Sequence, residues 1–233
     1  MSAHAPGAAP ASPARDSVAP IATFGVLVFP DAEELDFVGP WEMLTLWSRF
    51  AQGPANCIVV GQSLAPVVCA KGLSVNPHAS FESCPPLDAL LVPGGVGTDV
   101  QVDNTALVGF IAAQARRARA LLSVCSGAFL LHRAGLLSGR RATTHWMRLD
   151  ALRALGDVDV VEERYVRDGP VWTSAGVSAG IDLMLEFIAQ EAGETTAGKV
   201  QFGAEYYPSG RSYGGFHAHP KAPRYARRIT GSG

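Results

Sequence analysis

The sequence has little of what a membrane, nucleic-acid-binding or secreted disulfide protein needs. No apolar run approaches the roughly 20 residues that span a bilayer. Positive charge is not in excess. The formal net charge is −2 at pH 7, which gives no electrostatic reason to propose nucleic acid or an anionic membrane as partner. Charged residues make up only 17% of the chain against 48% hydrophobic, a globular balance. The four cysteines, at 57, 69, 84 and 125, lack the spacing of metal ligands. Residues 1–20 lack the apolar core of a secretory signal. Together these features point to free thiols in a reducing cytoplasm.

What is present is enough for one α/β domain, since 233 residues can bury a sizeable core. Residues 1–20 are rich in Ala, Pro and Ser and read as a disordered leader. Residues 21–207 form the domain. Residues 208–233 are rich in Gly, Pro, Arg and aromatics and read as an extended tail, docked through Tyr206, Tyr207, Tyr213 or Phe216.

Four nearly continuous apolar runs, at residues 24–29, 57–60, 89–92 and 121–124, read as strands covered on both faces. Helical patterns separate them: Pro40–Phe50 with Pro in its first turn, Thr105–Arg119, and later Ile181–Glu191. Residues 66–77 read as a small hairpin insertion. Late strands at 158–161, 165–167 and 171–173 surround an Asp168-Gly169 turn. Alternating strands and helices predict a doubly wound, mostly parallel sheet flanked by helices. In such sheets the site lies at the carboxyl ends of the strands.

One of those ends carries Cys125. The run Leu121-Leu122-Ser123-Val124 leads into Cys125-Ser126-Gly127, and Ala128-Phe129-Leu130-Leu131 continues as a helix. Strand, nucleophile, small residues and helix is the pattern of a nucleophile elbow. The helix N-terminus is expected to favour the thiolate and lower the cysteine pKa. The competing reading is a cysteine packed as a small apolar core residue. Gly94 and Gly95, in Pro93-Gly94-Gly95-Val96-Gly97, follow another strand and lack both the P-loop and dinucleotide spacings. Their N–H groups could stabilise an anion beside the thiol, or simply form a tight turn. Asp36, flanked by Leu35 and Phe37, is either a pocket carboxyl with a raised pKa or a carboxylate that caps the following helix. His145 could orient or deprotonate the cysteine, or serve a structural hydrogen bond.

These pieces, in this order, resemble the ThiJ/PfpI superfamily from about Phe24 to Tyr207. The resemblance rests on residues 35–40 (LDFVGP), 84–88 (CPPLD), 92–95 (VPGG), 123–127 (SVCSG) and 140–146 (RRATTHW), extended by 164–169 (RYVRDG) and 178–182 (SAGID). It implies a flavodoxin-like, class I glutamine amidotransferase-like fold. Within the superfamily the pattern looks like the isocyanide (isonitrile) hydratases. Protease-like members place His after the nucleophilic Cys, where this chain has Ser126. Most members carry a Glu near the thiol, whereas the hydratases carry an Asp, as at Asp36. Ser126 departs from the Thr of the hydratase pattern, and the segment after Tyr207 departs too.

The resemblance implies a lyase that hydrates R–N≡C to an N-substituted formamide without metal or organic cofactor. Cys125 would be the nucleophile and Asp36 the acid and base. Ser126 would position the thiolate or the water, with Gly94, Gly95 and the Ser126 N–H holding developing charge. It also implies a homodimer whose small-molecule partner is an isocyanide. Two alternatives stay open. One is a glyoxalase-like or deglycase-like enzyme. The other is a non-catalytic ligand or oxidative-stress sensor, since the same motifs occur in the sensing half of AraC-type regulators. Such regulators carry a helix-turn-helix domain beyond it, for which this chain is too short.

Overall fold

The apolar runs of the sequence become the strands of one sheet. In the computed structural model, which describes residues 20–209 and 213–227, the chain runs through β1 (Thr23–Leu27), α1 (Glu34–Phe50), β2 (Asn56–Gly61), β3 (Val67–Val68), β4 (Ser74–Val75), β5 (Ala79–Ser80) and β6 (Ala89–Val92). It continues through α2 (Thr98–Gln101), α3 (Thr105–Ala115), β7 (Ala120–Val124), α4 (Gly127–Arg133), β8 (Arg141–Ala142), α5 (Leu149–Arg153) and β9 (Asp159–Val160). The last elements are β10 (Tyr165–Asp168), β11 (Val171–Ser174), α6 (Ala179–Ala192), α7 (Glu194–Gly203) and α8 (Arg224–Arg227). The leader expected over residues 1–20 lies, apart from Pro20, outside the described residues.

The main sheet has seven strands in the order β10-β11-β7-β6-β1-β2-β5. Every neighbouring pair is parallel except the β10–β11 hairpin. β1 lies between β2 and β6, so the chain winds first to one side of β1 and then to the other. This topological switch point is where open α/β sheets bind ligands. Every residue of β6 and β7 is buried, as strands covered on both faces require. The sheet is flanked by helices, and α1, α6 and α7 pack on one another. The hairpin expected between residues 66 and 77 is the β3–β4 pair. Among the described residues no helix is long and apolar enough to cross a membrane.

Side chains from four motifs fix the frame. The Asp88 carboxylate accepts the N–H groups of Ala22 (2.8 Å) and Thr23 (2.9 Å), tying the start of β1 to β6. Arg164 donates to Asp182 at 2.6 Å, and the Tyr206 hydroxyl donates to the same carboxylate at 3.0 Å. Asp168 accepts the Arg141 N–H at 2.8 Å and pairs with Arg140 at 3.4 Å, so the two arginines brace the hairpin turn.

Three of the elements that differ from the sequence reading are helices beside the sheet. Helix α1 begins at Glu34 rather than Pro40, which places Pro40 inside it and Asp36 in its first turn. Glu34 and Asp36 suit the positive end of a helix. The missing Pro40 N–H forfeits one helical bond, and the ring packs against Gly180, where a Cβ would meet it at 2.8 Å. Helix α3 ends at Ala115, so Arg116, Arg117 and Arg119 lie beyond it rather than in its last turn. The Arg119 N–H bonds the Asp88 carbonyl at 2.7 Å, which turns the chain into β7. Helix α7 was not foreseen; its Thr, Gly and Lys content carries no clear apolar stripe.

Phe187 of α6 is fully buried and meets three rings edge-on: Phe24 at 5.9 Å, Trp47 at 6.3 Å and Trp172 at 5.6 Å. These join β1, α1 and β11. Phe187→Ala should therefore cost about 3–5 kcal/mol of unfolding free energy, the usual loss for a buried aromatic. Urea titration followed by tryptophan fluorescence measures it, and a cost under about 1 kcal/mol would mean the cluster repacks.

Candidate active site

Four strand ends converge at the switch point and deliver four segments. The turn after β1 leads into Asp36, β6 into Gly94 and Gly95, β7 into Cys125, and β11 into Val177. Cys125 has φ of 57°, the left-handed region that a side-chain-bearing residue enters only under constraint. Its N–H donates to the Ser174 and Ala175 carbonyls at 3.2 and 3.1 Å. Its own carbonyl accepts the Thr144 hydroxyl at 2.7 Å. The turn is thus held on both sides, as a nucleophile elbow must be. Two glycines permit the close approach. A Cβ on Gly94 would lie 2.5 Å from the Ser126 nitrogen, and one on Gly127 would lie 2.3 Å from the Val92 carbonyl oxygen.

Asp36 is completely buried. One oxygen accepts the Gly94 N–H at 2.8 Å and the other accepts the Val177 N–H at 3.1 Å. The same carboxyl shares a hydrogen bond with Cys125. Burial raises its pKa from 3.8 to about 7, against the two N–H donors and the thiol, which lower it; nearby Glu33 adds to the rise. Val177 has φ of 54°, and a β-branched residue at positive φ is a genuine outlier.

The thiol behaves differently from the sequence expectation. Burial first, and the Asp36 charge next, push the Cys125 pKa from 9.0 up to about 12. The Ser126 N–H and hydroxyl oppose that rise. Magnitudes decide the contest. A helix end supplies at most about 2 kcal/mol even when partly buried. The rise from 9.0 to about 12 corresponds to roughly 4 kcal/mol in the other direction. Above about pH 7 the two groups therefore hold one proton between them, rather than forming a free thiolate. Burial also raises Cys69 and Cys84 to about 11, so acidity does not single out Cys125; its elbow and its carboxyl partner do.

Ser126 accepts the Gly95 N–H at 3.0 Å, lies 3.0 Å from the Thr98 hydroxyl, and sits beside the thiol. The five site residues read from the sequence, Cys125, Asp36, Ser126, Gly94 and Gly95, thus fall in one cluster. The geometry corrects two roles. The Gly94 N–H is committed to Asp36 and the Gly95 N–H to Ser126, so neither is an open donor for an anion. The Ser126 N–H, directed at the sulfur, remains. His145 caps a short 3₁₀ turn, its Nδ1 accepting the Met147 N–H at 3.3 Å. Burial is the main cause that lowers its pKa, which favours the neutral ring.

Sequence reasoning missed Val177, Thr98 and Thr144. Thr144 lay in a quoted motif, whereas the small residues after β11 were the only signal for Val177.

These pKa shifts make a prediction. Alkylation of Cys125 by iodoacetamide, followed by mass spectrometry of its peptide, should be slow at pH 7 and still rising at pH 10. Asp36→Asn removes the neighbouring negative charge, so it should lower the thiol pKa and speed alkylation at pH 8 several-fold. A wild-type profile that levels off below pH 8 would contradict the shared-proton arrangement.

Comparison with known proteins agrees with the fold and the motifs. Residues 23–190 match the DJ-1/PfpI family. The chain is 40% identical over 185 residues to isonitrile hydratase from Pseudomonas putida, covering 79% of this chain and 78% of that one. It is 35% identical over 178 residues to the HTH-type transcriptional regulator CdhR of Pseudomonas aeruginosa, covering 76% of this chain but 53% of the regulator. Among solved structures, a ThiJ/PfpI family protein from Pseudomonas syringae superposes with a TM-score of 0.76 at 34% identity, over 94% of this chain and 90% of that one. Drosophila melanogaster DJ-1beta shares the fold, with a TM-score of 0.71 at 19% identity over 81% of this chain and 100% of that one. The chain belongs to the DJ-1/PfpI family.

Proposed function

We propose that this protein hydrates organic isocyanides, R–N≡C, to N-substituted formamides. The observation that carries the reading is the pair itself: a cysteine on a strained elbow sharing a hydrogen bond with a fully buried aspartate. The 40% identity to an isonitrile hydratase supports the substrate class.

An isocyanide carbon accepts a nucleophile and a proton at the same atom. The Cys125–Asp36 pair holds one of each. As sulfur attacks the terminal carbon, the thiol proton passes to Asp36 and from there to that carbon, giving the thioimidate R–N=CH–S. No net charge is created, which suits a buried site. Asp36 is then a carboxylate beside the thioimidate. It takes a proton from water as the oxygen adds to carbon, and returns it to nitrogen. The resulting R–NH–CH(OH)–S intermediate expels the thiolate and loses its hydroxyl proton, which restores the shared proton and releases R–NH–CHO. The Ser126 N–H and hydroxyl face the sulfur and oppose its raised pKa, so they stabilise it as the leaving thiolate. The chemistry calls for no metal or organic cofactor. A homodimer is part of the same reading, by the likeness to the family.

A second reading comes from the similarity to a transcriptional regulator. The fold would then serve as a ligand-sensing module, with Cys125 binding rather than turning over its ligand. Catalysis separates the two. Absorbance-monitored hydration of p-nitrophenyl isocyanide should proceed in wild type and be abolished in Cys125→Ser and Cys125→Ala. Absence of turnover in well-folded wild type would favour the sensor. Asp36→Asn should lower kcat at least about a hundredfold, the scale of general acid–base catalysis.

The pH profile gives a further check. The reactive form carries one proton across the pair, so it appears as the first proton leaves near pH 7 and persists until the thiol ionises. kcat/KM should rise through about pH 7 and stay level to at least pH 9. A profile flat from pH 5 to 9 would remove Asp36 from the proton chemistry.

A further inference from the structure

A cavity of about 680 Å³ opens beside the cluster, between the body of the domain and the chain's later segment. Its inner wall includes His145 and Gly176. These are immediate neighbours of Thr144, Ala175 and Val177, which bond Cys125 and Asp36. Its outer wall comes from residues 216–226 of the tail. That segment is seated by buried Pro223 and by the Arg224 N–H on Glu162 at 3.4 Å. The sequence reading took residues 208–233 for an extended arm docked through Tyr206, Tyr207, Tyr213 or Phe216, and of these Tyr206 does bond the body of the domain, at Asp182. The segment instead folds into a short turn and α8, leaving Tyr213 and Phe216 about three-quarters exposed.

The isocyano group is small and uncharged, so most recognition must come from the rest of the substrate, and binding energy away from the reacting atoms helps position them. The cavity size falls in the range of about 300–1,000 Å³ that accommodates whole organic ligands. Its walls have two characters. Trp146, Phe216 and Tyr225 give flat apolar faces, while Arg164 and Lys221 give positive charge. Among the described residues no carboxylate lines it. Arg164 is held by Asp182 at 2.6 Å and Ser178 at 3.1 Å, so its charge is partly balanced. Lys221 stands on the tail side of the cavity and is exposed. Burial raises the Tyr225 hydroxyl pKa; Arg164 opposes that rise, while Glu162 and Cys125 add to it, which places this ring within electrostatic reach of the thiol.

We propose that this cavity binds the N-substituent of the substrate and selects aromatic isocyanides that carry an anionic group, with Tyr225 as the flat wall and Lys221 as the countercharge. This rests on the isocyanide reading and adds the substrate class to it.

A matched pair of substrates tests it. 4-Carboxyphenyl isocyanide and 4-methylphenyl isocyanide differ in charge and little in shape. Wild type should favour the carboxylate in kcat/KM by about tenfold, the size of one charge-assisted hydrogen bond. Lys221→Met should bring the ratio towards one. Arg117→Met removes a similar charge at the opposite end of the sheet, before β7, and should leave the ratio as it was. Tyr225→Ala should raise KM for both substrates. Calorimetric binding of the products, 4-formamidobenzoate and N-(4-methylphenyl)formamide, reads the cavity without turnover and should show the same preference. Turnover of both isocyanides with no preference, or a preference untouched by Lys221→Met, overturns the assignment of the cavity and leaves the reaction standing. Failure of every isocyanide to react, with Lys221-dependent binding of 4-formamidobenzoate, overturns the reaction and keeps the anionic aromatic site.

Discussion

One buried carboxylate ties the site together. Asp36 takes the N–H of Gly94 from the β6 turn, the N–H of Val177 from the β11 turn and a hydrogen bond with the thiol after β7. Each donor satisfies an oxygen that could not stay buried alone, because an unpaired charge in the interior is expensive. The demand runs both ways. Val177 stays in a left-handed conformation that costs about 1–3 kcal/mol, and its bond to Asp36 helps hold it there. An amide could not take the same place unchanged, since its single acceptor oxygen cannot face two N–H groups on opposite sides. The carboxylate is therefore a structural bolt and, in the proposed reaction, also the proton carrier.

The same geometry fits the proposed reaction, in which a buried thiol serves as nucleophile without being acidic. A permanent thiolate would need a cation or several free donors, and the cluster offers the Ser126 N–H and hydroxyl against burial and two carboxylates. Keeping the proton within the pair avoids that cost until a substrate arrives. Glu33 belongs to this balance: its charge raises both Asp36 and Cys125, so it favours the protonated forms of each.

Much of this was legible in the sequence, and the limits have physical causes. Continuous apolar runs located β1, β2, β6 and β7 because strands covered on both faces have no alternation to obscure them. The elbow was legible because strand, Cys125, Ser126 and Gly127 are adjacent in sequence. Asp36 was located but placed in the wrong element, since Pro40 suggested a helix start that packing against Gly180 overrides. The thiol's acidity was misread because the helix end is a local signal, while burial and the Asp36 charge come from residues distant in sequence. Val177 had only the small residues around it as a signal and the α8 wall had none, because their roles exist only once β11 and the tail reach the switch point.

The margins of the sheet carry a consequence of their own. On one side it ends at β5, only two residues long; on the other it ends at β10, whose Arg167 and Asp168 are charged. A short margin and a charged one are poor templates for an incoming strand. The hydrogen-bonded interior is thus insulated from sheet-to-sheet growth, and the apolar strands β6 and β7 sit well inside it. A chain this rich in aliphatic strand residues thus keeps its most apolar strands away from the margins at which edge-to-edge pairing would begin.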